Sequence, residues 1–317
     1  MITRRTLLLR TVASAGAFAV WKPQPAQGGM FISLPPWAVA RKVGWPEQAR
    51  LAARVGYGGI DWAFGPAKAA GVDATRALLA ELEIRPTITN LPVQGALGGE
   101  ELAFTSRLPQ LAEDAAFASA IGCRNFQLVL PAAAPAGQSK EERWKVVRGR
   151  LVAIADVLAK HDMRLGLEFL GPLVFRTRPG SGVPFVWTLS ETVKLASDSG
   201  PNVGVTLDAW HWYHSGGTVA DIHATSVSRI VHVHVSDARE MPPEAVQDNM
   251  RLLPGEGIID LTGFFRALEK VGYRGGVAPE TIGPRIPDAM PPEESARLAL
   301  AATAAVMEKA GVRRQGR

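Results

Sequence analysis

The sequence predicts a single-domain α/β fold, a (β/α)8 TIM barrel preceded by an N-terminal export signal. Three observations carry this. Short β-rich runs alternate with amphipathic helical stretches along almost the whole chain. Eight such pairs follow one another without a linker or a low-complexity tract. Polar residues gather where the later runs end. Strand–helix alternation implies parallel pairing with right-handed crossovers, and eight units closing on themselves make a barrel. A doubly wound sheet is the alternative, but no glycine-rich phosphate fingerprint follows the first strand.

Residues 1–28 stand apart. "TRRTLLLR" places Arg4 and Arg5 ahead of an apolar run ending near Val20, and "KPQPAQGG" follows. This pattern resembles a twin-arginine export signal, although Arg10 interrupts the apolar segment. It implies passage through the twin-arginine machinery and a periplasmic or otherwise extracytoplasmic location. The barrel is expected over residues 29–317.

From there the elements follow in order. "MFISLP" is the first strand. "PEQARLAARVG" is a helix with a glycine stop, leading to the strand in "GGIDWAF". "ATRALLAELE" leads to "RPTITNLPV", and "LPQLAEDAAFASAIG" to "NFQLVLPA". The long "KEERWKVVRGRLVAIADVLAKHD" leads to "RLGLEFLGP". "TLSETVKLASDSG" leads to "VGVTLDAWH", "ADIHATSVS" to "IVHVHVSDA", and "DLTGFFRALEKVGY" to "GGVAPETI". "PEESARLALAATAAVMEKAG" is the closing helix. Apolar spacing of three and four marks the helices, and bounded β-branched runs mark the strands. Two long loops, after the fifth and seventh strands, fall on the catalytic side of a barrel.

Composition narrows the function. The chain has 317 residues, 47% of them hydrophobic, enough for a large core. Cys123 is the only cysteine, so no intrachain disulfide forms. Residues 1–28 hold Arg4, Arg5, Arg10 and Lys22 and no acidic group, so without them the formal charge of +5 falls to about +1. A near-neutral body argues against nucleic acid as a partner. No long uninterrupted apolar run lies beyond the N-terminus, so no membrane span is expected after processing. A homo-oligomer is left open.

The chemistry is expected at the C-terminal strand ends. The fifth strand ends in Glu168. The sixth ends in Asp208, with His211 one turn on. The seventh carries His232 and His234 on one face, because strand side chains alternate. The eighth ends in Glu280. Three carboxylates and one imidazole form a mostly hard ligand set that suits one divalent ion, Mn²⁺ first, with Mg²⁺, Zn²⁺, Co²⁺ or Fe²⁺ as alternatives. His232 reads as a packed or supporting histidine and His214 as substrate-lining or merely a loop residue. Asp61 and Trp62, ending the second strand, line the pocket or serve the core. Trp37, Trp210 and Trp212 offer faces for a sugar ring or for core packing. His161 and His223 read as surface residues.

The succession "GLEF", "LDAWH", "HVHVSDA", "LLPGEGIIDLTGFFRAL" and "VAPET" resembles the xylose isomerase-like barrel superfamily of sugar isomerases and epimerases, from about Met30 to Gly311. The resemblance implies that Glu168, Asp208, His234 and Glu280 bind the metal. It implies that His211 faces substrate, and that an arginine after the His-x-His strand, Arg239 by position, contacts substrate oxygens. The expected reaction is isomerisation or epimerisation of a free sugar or sugar derivative, by proton transfer next to a carbonyl through an enediolate. The metal would act as Lewis acid, with Glu168 and Glu280 as the acid–base pair. A lyase or dehydratase acting on a keto-sugar, keto-inositol or keto-glycoside would use the same site. A non-catalytic sugar-binding barrel and an endonuclease IV-type phosphodiesterase are weaker rivals. The latter needs several early histidines, and the first here is His161.

Overall fold

The computed structural model describes residues 28–93 and 95–315. The expected export segment therefore lies outside the described residues, Gly28 excepted. Eight strands form the barrel: β1 (Phe31–Leu34), β2 (Gly59–Ile60), β3 (two segments, Arg85–Pro86 and Thr89–Asn90), β4 (Asn125–Val129), β5 (Arg164–Glu168), β6 (Val203–Asp208), β7 (Ile230–Val235) and β8 (Gly276–Pro279). All pairings in this sheet are parallel. The first segment of β3 pairs with β2 (Gly59 with Arg85), and the second pairs with β4 (Thr89 with Phe126). One stretch of chain thus supplies both edges of the sheet, and the barrel closes.

Eight main helices follow the strands on the outside: α1 (Glu47–Val55), α2 (Val72–Glu81), α3 (Leu108–Ala120), α4 (Lys140–Ala159), α5 (Leu189–Ser199), α6 (Val219–Ala224), α7 (Leu261–Lys270) and α8 (Pro292–Lys309). Short additional helices, such as Phe64–Ala70 and Ala209–His214, lie in the connections. No helix among the described residues is long and apolar enough to cross a membrane.

Local chemistry sets several helix starts. Ser139 caps α4: its hydroxyl accepts the Glu142 amide at 3.1 Å, and Glu142 reaches back to the Ser139 amide at 2.8 Å. Ser139→Ala is expected to cost about 1 kcal/mol, read as a lower urea midpoint with an unchanged slope. Asp260 caps α7 by accepting the Gly263 amide on its carboxylate at 2.8 Å.

Strand alternation decides what faces the barrel axis. Gly166 and Glu168, Thr206 and Asp208, and His232 and His234 share the inner face. Gly166 is needed there, because a Cβ would collide with Thr206 Oγ1. Leu165, Leu167, Val205, Leu207, Val233 and Val277 point outward and are fully buried in the surrounding core.

The loop after β7 folds back on that strand. Asp237 and Leu252 form an antiparallel bridge. The Asp237 carboxylate then accepts the amides of Ala238, Gly255 and Ile259 at 2.9–3.0 Å. Gly255 turns the "PGEG" segment with φ +90°, a conformation side-chain-bearing residues rarely adopt. This clamp carries Arg251 over the barrel mouth.

Candidate metal centre and active site

Each later strand delivers one polar side chain to the same point. Glu168 ends β5, Asp208 ends β6, His234 sits on β7 opposite Asp208, and Glu280 follows β8 directly. The ligand atoms of these four residues all lie within 4.8 Å of one another, and all four are buried. His234 Nδ1 is 3.0 Å from Glu168 Oε1 and 3.3 Å from Glu280 Oε2. Asp208 also caps the short helix beyond it, accepting the Trp210 amide on Oδ1 at 2.8 Å. Its two oxygens divide the work, since Oδ2 faces the cluster.

An unforeseen arginine completes the cluster. Arg251 is 1% exposed. Its Nη1 donates to Asp208 Oδ2 at 2.7 Å and to Glu280 Oε2 at 2.8 Å, and its Nη2 donates to Asp248 Oδ1 at 2.8 Å. His211 Nε2 lies 3.3 Å from Arg251 Nη2 and 3.6 Å from Asp208 Oδ2. Trp37 Nε1 donates to Glu280 Oε1 at 2.7 Å, so this tryptophan orients a carboxylate at the site.

Beneath the cluster lies a second buried group. Asp61 accepts from Ser33 Oγ at 2.6 Å and from Thr87 Oγ1, and its Oδ2 is 3.0 Å from His232 Nε2 and 3.6 Å from His234 Nε2. Such a carboxylate behind an imidazole restrains the ring that faces the site. His232 and Asp61 are thus supporting groups below His234.

A cavity of about 350 Å³ opens onto this arrangement, walled by Trp37, Asn90, Gln127, Val129, Glu168, Leu170, Phe175, His211, Asp248, Arg251, Glu280 and Ile282. A larger cleft of about 540 Å³ lies at the opposite end of the barrel, around Phe31 and Arg85, away from the four-residue cluster. Gln127 donates to Asn90 at 2.9 Å, adding two amides to the catalytic wall that strand-end reasoning overlooked.

The structure corrects three expected substrate contacts. Arg239 is exposed, and the arginine at the cluster is Arg251, carried there by the folded-back loop. Trp62 is 2% exposed and packs on Phe64 and Phe117, because Asp61 takes the inward position and strand alternation turns its neighbour outward. His214 is half-buried against Trp210 and Tyr213, with ring centroids 4.4 and 5.0 Å away, outside the cavity wall. Burial, then the nearby His211 and Arg251, pushes its pKa down to about 4. Trp210 and Trp212 are also core residues, the latter against Phe264.

Electrostatics couple the cluster. Burial opposes ionisation of Glu280, but His234 and Arg251 outweigh it and hold the carboxyl below its ordinary range. Burial likewise opposes a charged His234, yet Glu280 and Glu168 raise its pKa well above the ordinary value. These shifts have opposite consequences. Glu280 contributes stability above its ordinary 4.5, lost as the pH falls below it. His234 contributes stability below its ordinary 6.5, lost as the pH rises above it. In a chelator, the urea midpoint is expected to be highest between those values and to fall on both sides. A flat profile from about pH 4 to 8 would refute the coupling.

Three buried carboxylates face one guanidinium and one imidazole, so the donor set carries surplus negative charge and fits a divalent cation.

A parallel barrel with a buried carboxylate–imidazole cluster at its C-terminal mouth defines the class: a TIM barrel with a polar site where barrel enzymes keep theirs. A family model described as xylose isomerase-like TIM barrel matches residues 49–306, and the chain belongs to that family. An inosose isomerase of Halalkalibacterium halodurans is 26% identical over 134 residues, covering 42% of this chain and 45% of that protein. An inosose dehydratase of Geobacillus thermodenitrificans is 27% identical over 147 residues, covering 43% and 46%. The matched stretch thus spans about half the length of these relatives. Among solved structures, a xylose isomerase domain protein from Alicyclobacillus acidocaldarius superposes with a TM-score of 0.80 at 29% identity, covering 89% of this chain and all of that one. The IOLI protein, solved with a bound zinc atom, superposes with a TM-score of 0.73 at 20% identity, covering 88% and 99%.

Proposed function

We propose that the chain is a divalent-metal-dependent isomerase or epimerase that moves a proton next to the carbonyl of a free sugar or a cyclic polyol-derived ketone. One observation carries the proposal: Glu168 and Glu280 both lie against His234 Nδ1, at 3.0 and 3.3 Å, inside a buried site with a substrate-sized cavity. The inosose isomerase name of a relative supports the substrate class.

Glu168, Asp208, His234 and Glu280 would hold the ion, which supplies Lewis acidity toward adjacent substrate oxygens when bound. Mn²⁺ suits the oxygen-rich set, and the zinc of the IOLI protein makes Zn²⁺ the main competitor. The chain's own groups do the rest. Glu168 and Glu280 remove and return the proton at carbon. Arg251 and His211 orient hydroxyls at the mouth, and Trp37 holds Glu280 in place. Phe175, Leu170 and Ile282 restrict water.

A dehydratase or lyase is the second reading. The same buried cluster and cavity would serve it, and a relative named inosose dehydratase supports it. Residues 1–28 support export by the twin-arginine route to an extracytoplasmic site.

The test is incubation of metal-loaded protein with keto-inositols and free ketoses in D₂O, read by NMR, with metal content measured in parallel. Deuterium at the carbon next to the carbonyl with a retained carbon skeleton supports the isomerase, and loss of a hydroxyl supports the dehydratase. No exchange in the metal-loaded protein with any substrate would overturn both.

A further inference from the structure

We propose that Arg143 forms a carboxylate-binding subsite beside the catalytic cavity, for the far end of a substrate whose middle is apolar. Helix α4 places Arg143 and Arg150 on one face, seven residues apart, and both are buried at 7% and 4% exposure. Their situations differ. Arg150 donates to the carbonyls of Gly98 and Gly99 at 2.5 and 2.7 Å and to Glu101 at 3.2 Å. The Arg143 guanidinium makes no hydrogen bond or ion pair with any described residue, and its Nε is wholly buried without a partner. The Phe185 ring lies with its centroid 5.9 Å from the Arg143 Cζ.

Burying the Nε of this guanidinium without a partner is costly, and arginine cannot escape the cost by losing its proton. Arg143 also lines a cavity of about 430 Å³ with otherwise apolar walls, including Leu97, Leu130 and Pro131. That cavity shares Val129 and Leu170 with the catalytic one. Val129 is the sheet partner of Glu168, and Leu170 lies two residues beyond it. The subsite therefore begins where the strand carrying a catalytic glutamate ends.

The walls specify the ligand. Among the described residues no acidic group lines the cavity to neutralise Arg143, so the charge is open to an anion. One planar fork matches one carboxylate bidentately, and a single guanidinium on the walls balances a single negative charge. Apolar walls between fork and cluster fit a hydrophobic spacer, as in a glycoside with an aromatic acid as its other half. The sugar end of this ligand rests on the functional reading above; the anionic end does not.

The test is calorimetric titration of Mn²⁺-loaded protein with a matched pair, 4-carboxyphenyl and 4-methylphenyl β-D-glucoside. The wild type is expected to bind the acid at least about tenfold more tightly. The two affinities become equal in Arg143→Met, while Arg143→Lys keeps part of the preference. Arg143→Met is also expected to melt higher than the wild type, because it removes an unpaired buried charge; a structural arginine would give the reverse. Equal affinities in the wild type, no binding of either glucoside, or a preference that survives in Arg143→Met would overturn the subsite. The wild-type comparison stands alone should Arg143→Met fail to fold. Deuterium exchange reads the cluster separately, so lost exchange with a retained carboxylate preference would sink the catalytic reading and leave the subsite.

Discussion

Glu280→Gln is expected to slow substrate proton exchange about a thousandfold while the protein stays folded. The amide matches the carboxylate in shape and keeps an oxygen for Trp37 Nε1, now 2.7 Å from Glu280 Oε1. It has no basic lone pair to accept a proton from carbon. It also removes the negative charge that faces His234 Nδ1 at 3.3 Å and Arg251 Nη1 at 2.8 Å. Weaker metal retention should accompany the lost rate. Exchange followed by NMR gives the rate, bound metal after dialysis gives the second readout, and near-ultraviolet circular dichroism reports the fold. Full activity in this variant would remove Glu280 from the acid–base pair.

Arg251→Met is expected to destabilise the metal-free protein by about 3–5 kcal/mol, the usual result of breaking a buried ion pair by removing one partner. Asp208 and Glu280 are buried and would lose the guanidinium that bonds both, at 2.7 and 2.8 Å. Asp248, 36% exposed, would regain water more easily. A divalent ion in the cluster neutralises the same carboxylates, so saturating Mn²⁺ should recover a large part of the loss. Urea titrations in chelator and in metal measure both quantities. An equal loss under the two conditions would show that Arg251 and a metal do not share these partners.

Much of the site was legible because it sits on regular strands. Alternation places His232 and His234 on one face, and a strand end is visible where β-branched residues give way to polar ones. Glu168, Asp208, Glu280 and the pair His232 and His234 follow from those two rules; the family resemblance singled out His234, and the structure gathers it with the three carboxylates. Arg251 does not follow from them. It lies in a loop whose path depends on Asp237 binding three amides and on the left-handed turn at Gly255. No periodicity records such contacts. A usable signal existed nonetheless: Arg251 adjoins the apolar "LLP" and the glycine turn, an unusual place for a solvated arginine. Asp61 and Trp62 illustrate the other limit. β2 is too short to show its own alternation, so which neighbour faces inward was settled by the pairing of Gly59 and Ile60 with β3.

The sequence by itself determined the eight strand–helix units, the closed parallel architecture and the polar residues at the later strand ends, because these depend on local periodicity and on where strands stop. Tertiary structure alone decided which arginine neutralises the cluster, what supports His234 from below and that Arg143 pairs with none of the described residues. Those outcomes turn on contacts between groups far apart in the chain, where burial makes the pairing of charge decisive and sequence distance carries no record of it.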